Sequence, residues 1–276
     1  MRVASVGLNP MDPLIASMPE LAARFNLTVP SGFGYDFAGV VDEVGDGVGG
    51  FAVGERVYGG VMERAAADFV VVTTPLGADA LFHTPEGLSD DVASTLFIAG
   101  ATASAALAAI DLRPDDTVLI GGAAGGVGVF AVQLARLAGA AVIGTASEGT
   151  FAFLRELGSQ PVAYGPGLTD RVRALTPGGI TAAVDLFGTE TIETALELGV
   201  APGRISAIAA GPTPPGGVRS AGGFDAEPNA VPRIADAVVD GQITVPIAAR
   251  FPIQQIREAA ALQAARHVHG KIVVTL

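Results

Sequence analysis

The chain has 276 residues, half of them apolar and 16% charged, with a formal net charge of −12. Its length allows one large domain or two smaller ones, and its composition excludes a disordered chain. The negative charge argues against nucleic acid or an anionic membrane as partner, because both would repel it. There is no cysteine, hence no disulfide and no thiolate metal site. No charged stretch leading into an apolar core opens the sequence, so cytoplasm is the expected compartment. Two uncharged stretches, 92–110 and 117–135, are long enough to span a bilayer. Both are dominated by Ala, Gly, Ser and Thr, and read instead as buried elements of an α/β protein.

The first ninety residues read as short strands and turns. Residues 2–6 alternate in polarity, and Pro10, Pro13 and Pro19 are expected to break the segment after them. Residues 37–44 are a β-prone run ended by the glycine-rich stretch 45–50. Gly54 opens a turn into another strand, and 69–74 reads as one more. Near Leu88 the pattern changes: Ser89, Asp90 and Asp91 supply a helix start before an Ala-rich helix. From Thr117 onwards, strands at 117–120, 141–145, 161–164, 182–187 and 204–209 alternate with helices at 126–138, 150–157, 170–175 and 190–198. That order demands a parallel sheet covered on both faces. Residues 212–223 read as a Pro/Gly-rich loop. A helix (232–240), a strand (243–248), a helix (253–265) and a strand (271–275) complete the chain.

The turn Ala123-Ala124-Gly125-Gly126-Val127-Gly128 lies between an apolar strand and an amphipathic helix, the context a dinucleotide-binding turn requires. Gly125 would let backbone approach a pyrophosphate, Gly128 would let the helix pack closely on the strand, and the helix N-terminus would offer free N–H groups to phosphate. Ala123 replaces the first glycine of the usual pattern. A tight turn without ligand is the plainer alternative. An NAD reader would place an acid at the end of the second strand, where Ser147 stands, with Glu148 one residue on. Ser147 suits a 2′-phosphate, Tyr164 at the end of the third strand could add a second hydroxyl, and Arg155 is the nearest basic residue. NADP(H) is therefore the expected cofactor.

With these features in place, the sequence resembles the medium-chain dehydrogenase/reductase superfamily, most closely its zinc-free, NADP-dependent quinone oxidoreductase (zeta-crystallin-like) branch. The resemblance rests on Val6-Gly7-Leu8-Asn9-Pro10-Met11-Asp12, Gly34-Tyr35-Asp36-Phe37-Ala38-Gly39-Val40-Val41, Gly54-Glu55-Arg56-Val57-Tyr58-Gly59 and Ala99-Gly100-Ala101-Thr102-Ala103. Gly122 to Gly128 with Ala131-Val132-Gln133-Leu134-Ala135, and Gly270-Lys271-Ile272-Val273, complete it. It implies an α/β protein with a doubly wound parallel Rossmann sheet (99–244) inserted into a GroES-like, β-rich catalytic domain (1–98 and 245–276). It also implies an active site in the cleft between them, a homodimer, and a catalytic domain that is N-terminally short, since family members carry further strands ahead of the segment corresponding to Met1.

The zinc ligands of the alcohol dehydrogenases in this superfamily fall here on Asn9, Asp36 and Ala99, so no metal is expected. His83, His267 and His269 lack ligand partners at a useful spacing. Without a Lewis acid, reduction of a simple ketone is disfavoured, whereas hydride addition to a quinone or enone gives a delocalised oxyanion that ordinary donors hold. Asn9 is the candidate donor and Tyr58 a second; an Asx turn and a core ring are their plainer alternatives. Asp12 would orient Asn9 or cap a turn. By resemblance Thr102 would lie close to the nicotinamide, and Phe187 and Ile208 would pack on the cofactor; an ordinary helix Thr and apolar strand ends in the core are their plainer alternatives. Lys271 would reach the cofactor or cap the last strand. The expected activity is NADPH-dependent reduction of a small quinone or enone. The competing expectations are an NADP(H)-binding protein without turnover and an enoyl reductase of lipid or polyketide assembly.

Overall fold

The computed structural model describes residues 1–73, 79–211 and 213–276. Thr74, which would end the strand expected at 69–74, and Pro212, which would open the expected loop, lie outside the described residues. The chain forms two compact units: Met1–Ile98 with Val231–Gly241 and Val245–Leu276, and Ala99–Ala230 with Gln242–Thr244. In chain order the first unit contributes β1 (Arg2–Leu8), α1 (Met11–Ser17), α2 (Pro19–Arg24), β2 (Asp36–Val40), β3 (Arg56–Gly60), β4 (Ala80–His83) and α3 (Asp90–Ala93). After α4 (Phe97–Ala109) come β5 (Thr117–Gly121), α5 (Gly128–Leu137), β6 (Ala141–Ala146), α6 (Phe151–Glu156), β7 (Gln160–Ala163), α7 (Leu168–Leu175), β8 (Ala182–Asp185), α8 (Glu190–Glu197), β9 (Ile205–Ala207) and β10 (Arg219–Ser220). The chain closes with α9 (Ala230–Val239), β11 (Ile247–Pro252), α10 (Ile256–Ala264) and β12 (Lys271–Thr275).

The first unit is a six-stranded sheet in the order β11-β12-β1-β2-β3-β4, antiparallel except for the β11–β12 pair. Val6, Leu8, Phe37, Val57, Ile272 and Val274 from four of its strands form the core. Full burial of a ring such as Phe37 contributes about 2–3 kcal/mol. Pro13 and Pro19 do not break the chain as expected. They occupy the first turns of α1 and α2, where the missing N–H has no intrahelical acceptor to lose. Among the described residues 69–73 the expected strand is not formed; Phe69 makes an isolated bridge to Arg2 there.

The second unit is a six-stranded parallel sheet in the order β10-β9-β8-β5-β6-β7, the strand sequence of a doubly wound dinucleotide fold with its switch between β5 and β8. Its sixth strand, β10, lies inside the stretch expected to be loop, where two exposed residues pair with β9. The strand expected at 243–248 is instead β11, displaced towards the C-terminus. The reason is local: the Gln133 side chain donates to Thr244 O (2.8 Å) and accepts from Thr244 N (2.8 Å), giving that backbone the partners a strand would have supplied.

Candidate active site

Among the described residues, the candidate site residues fall into two constellations, one in each unit. In the second unit, the C-terminal ends of the parallel strands set out the candidate cofactor residues in spatial order: Ile208 after β9, Phe187 after β8, the turn 123–128 after β5, Ser147 after β6 and Tyr164 after β7. The turn is shaped by backbone contact. Gly122 takes φ +68, the left-handed region that glycine enters without strain, and its N–H donates to Thr145 Oγ1 at 3.1 Å. A Cβ on Gly128 would lie 2.3 Å from Gly122 O and 2.4 Å from Ala123 O, so only glycine allows the helix to start there. A Cβ on Gly125 would meet only Gly122 O, at 3.3 Å, leaving its other side open. Ala123 is fully buried. Its methyl group packs where a side chain on Gly144 of β6 would otherwise sit. Ala124 is buried, and Gly126, Val127 and Gly128 lead into α5. The Val129, Phe130 and Ala131 N–H groups of that helix donate to the turn carbonyls of Gly125 and Val127, so that the N–H groups of 126–128 are the ones at the mouth of the turn. The cradle therefore fits a pyrophosphate.

Around this turn, Ser147 is exposed, its hydroxyl sharing a 2.8 Å hydrogen bond with that of Thr150. Arg155, the nearest basic residue in the sequence, lies over the ring of Phe151 on its own helix. Tyr164 and Phe187 are both 57% exposed. Thr102 is buried in α4 and faces Gly223. Two side chains that sequence reasoning missed hold these loops. Arg171 donates to the carbonyls of Ala163, Tyr164, Gly165 and Pro166 at 2.8–3.2 Å, fixing the loop that carries Tyr164. Asp185, buried at the end of β8, accepts from the N–H groups of Phe187, Gly188 and Thr191. Nothing in the local sequence distinguishes Arg171 from a solvated helix residue.

In the first unit, strand register gathers polar groups that the chain separates widely. Leu8 pairs with Ile272 and Gly7 with Asp36, so Asn9, just past β1, meets Lys271 at the start of β12 and Asp36 at the start of β2. Lys271 Nζ donates to Asn9 Oδ1 at 2.6 Å and to Leu8 O at 3.0 Å. Asn9 Nδ2 donates to Asp36 Oδ2 at 3.0 Å, and Ile98 N donates to the same carboxylate at 3.2 and 3.3 Å. Asp12, which the sequence left between two roles, accepts the Asn9 backbone N–H at 2.7 Å. All four side chains are at most 2% exposed.

Burial governs their acidity. It pushes the Asp36 carboxyl up to about 6, against the lowering effects of Lys271, Asn9 and Ile98 N. It raises Asp12 well above the carboxylate range, and it lowers the Lys271 ammonium despite the two aspartates. Glu63, also missed in the sequence, is 1% exposed at a left-handed φ of +54, and burial raises it to about 7. Both of its oxygens and Asp12 Oδ1 have no hydrogen-bond partner. They line a cavity of about 10 Å³, room for roughly one water, together with Asn9, Tyr35 and Ile98. Tyr58 is fully buried against Phe82, outside that cavity lining, and its hydroxyl is unpartnered.

Residues 1–78 match the family model of the alcohol dehydrogenase GroES-like domain, and residues 126–226 match that of the zinc-binding dehydrogenases. A quinone oxidoreductase of Pseudomonas aeruginosa is 30% identical, covering 89% of this chain and 82% of its own length. The chain belongs to the medium-chain dehydrogenase/reductase family, in its quinone oxidoreductase-like group. As a member, it is an NAD(P)-dependent oxidoreductase. Among solved structures, a quinone oxidoreductase from Coxiella burnetii is 25% identical with a TM-score of 0.79, and CurK enoyl reductase is 26% identical with a TM-score of 0.85. Both cover 100% of this chain, and it spans 89% and 90% of theirs. A segment of the erythronolide synthase EryA2 of Saccharopolyspora erythraea is 44% identical over 126 residues, 45% of this chain but 3% of that protein. Among the described residues, no helix of this dehydrogenase/reductase is long and apolar enough to cross a membrane.

Proposed function

We propose that this protein is a zinc-independent, NADPH-dependent reductase that adds hydride to a quinone or to the β-carbon of an enone or enal, acting as a homodimer. The observation that carries the reading is the state of Asn9. Its amide oxygen is occupied by the Lys271 ammonium and its nitrogen is a donor to Asp36, so it offers an oxyanion a hydrogen bond and a metal nothing. Asp36 is already held by Asn9 and Ile98 N, Ala99 has no ligating side chain, and among the described residues no three His, Cys, Asp or Glu side chains are grouped to hold a metal. The residues at the positions expected for zinc do not fit that ion.

The turn Ala123-Ala124-Gly125-Gly126-Val127-Gly128 would receive the pyrophosphate, Ser147 and Tyr164 the 2′-phosphate, and Phe187, Ile208 and Thr102 the nicotinamide side. When bound, the nicotinamide supplies the hydride. The protein supports the charge that then develops on the acceptor oxygen, and solvent returns the proton. The names of the quinone oxidoreductase relatives favour a quinone, and that of CurK enoyl reductase favours an enoyl substrate, for which a short enoyl thioester is a suitable probe. Titration with NADPH and NADH, then NADPH consumption with quinones, enones and a short enoyl thioester, tests the proposal. Tighter binding of NADPH and turnover of a quinone or enone are expected. Turnover of the thioester alone selects the second reading; NADPH binding without any turnover refutes both. A monomer on sizing refutes the dimer.

A further inference from the structure

We propose that Lys271, the single lysine of the chain, is a positioning residue: its ammonium locks and polarises the Asn9 amide so that one Nδ2–H is held ready for the acceptor oxygen. The inference rests on the proposed function and names the group that makes Asn9 competent. An ammonium only donates and an ionised carboxylate only accepts. With Lys271 on one side and Asp36 on the other, the amide therefore has a single allowed orientation, oxygen towards Lys271 and nitrogen towards Asp36. The Asn9 main chain is pinned as well, by its N–H to Asp12 and by the Leu8 carbonyl to Lys271. Of the two Nδ2 hydrogens Asp36 takes one. The other is left on a residue that lines the small cavity.

A cation at the amide oxygen also draws electron density from nitrogen, which strengthens the remaining N–H as a donor in a site shielded from water. Burial shifts the neighbouring Asp12 and Glu63 towards their neutral forms, which reduces their opposition to an oxyanion there. The two charges are joined through Asn9, so removing Lys271 frees the amide to turn. This differs from a cofactor-contacting lysine, because two of the Nζ donors are spent inside the first unit.

The test compares Asn9→Ala, Lys271→Met, Lys271→Arg and the Asn9→Ala/Lys271→Met pair in the full-length protein. The readouts are NADPH affinity, steady-state kinetics with the best acceptor, and the nitrogen-15 signal of the Asn9 side chain, assigned by its loss in Asn9→Ala. Losing an oxyanion donor lowers kcat by about 100-fold. Lys271→Met is expected to cost about tenfold or more alone, and less than about twofold on the Asn9→Ala background, with NADPH affinity unchanged. Lys271→Arg recovers most of kcat, and the Asn9 signal moves in Lys271→Met but not in Lys271→Arg.

Losses that multiply in the double variant, or weaker NADPH binding with kcat intact, overturn the proposal. If Lys271→Met does not fold, Lys271→Gln takes its place, and wild-type kcat in that variant overturns the proposal equally. Should the wild type bind NADPH yet reduce no acceptor, the functional reading fails. The nitrogen-15 signal then still decides the positioning role, and its constancy without Lys271 overturns it.

Discussion

The two constellations are built on opposite plans. The turn of the second unit is made of backbone: Gly122, Gly125 and Gly128 are needed because a side chain would not fit or would block an approach. The cluster of the first unit is made of side chains, Asn9, Asp12, Asp36 and Lys271, that only the sheet register brings together. Backbone sites fail sharply when one atom is added. Side-chain clusters fail gradually, through charge and hydrogen bonding, and leave a trace in pH dependence.

The largest expected effect tests the backbone half. Gly128→Ala drives a Cβ into two carbonyl oxygens and should cost about 3 kcal/mol or more and abolish NADPH binding. Gly149→Ala, where an added Cβ meets nothing, should change stability by less than about 0.5 kcal/mol. Thermal unfolding and cofactor titration of both variants check this, and equal effects would break the contrast.

The next effect tests the side-chain half. Burial raises Glu63 from the ordinary 4.5 to about 7, so the fold favours its protonated form. Its contribution is full below pH 4.5 and is lost as pH rises through 7. Asp36, raised to about 6, loses its own contribution in the same direction, beginning at lower pH. Stability from urea unfolding should therefore fall between pH 5 and 8 in the wild type and fall less in Glu63→Gln. Parallel curves would show that Glu63 does not titrate in this range.

Two smaller effects sharpen the cofactor side. Arg171→Met releases four carbonyls of the loop that carries Tyr164, and is expected to weaken NADPH binding about fivefold, near 1 kcal/mol, with kcat unchanged. Ser147→Ala should weaken NADPH about threefold while leaving NADH affinity alone, measured by fluorescence titration. Equal loss for both cofactors would remove Ser147 from the 2′-phosphate site.

The same contrast explains what was legible in the sequence. The turn was visible because its demands are local: four glycines within the seven residues 122–128, a strand before them and an amphipathic helix after. The alternation of strands and helices likewise exposed the parallel sheet, though not β10, whose two residues carry no periodicity. Asn9 and Asp36 were reached through the family resemblance. Their link to Lys271 was not, because it depends on antiparallel pairing across 262 residues. Glu63 had no signal, being a lone acid in a loop whose burial is tertiary. The strand expected at Thr244 was misplaced because a distant amide, Gln133, satisfies that backbone.

The central claim is hydride transfer from NADPH to a quinone or enone without a metal, and one measurement addresses it directly. The protein is stripped with a strong chelator, its zinc content is verified as absent, and NADPH oxidation is followed with a quinone and an enone. Turnover undiminished by stripping is the predicted result. Activity lost on stripping and restored by added zinc, or no activity in protein that binds NADPH, would contradict the account.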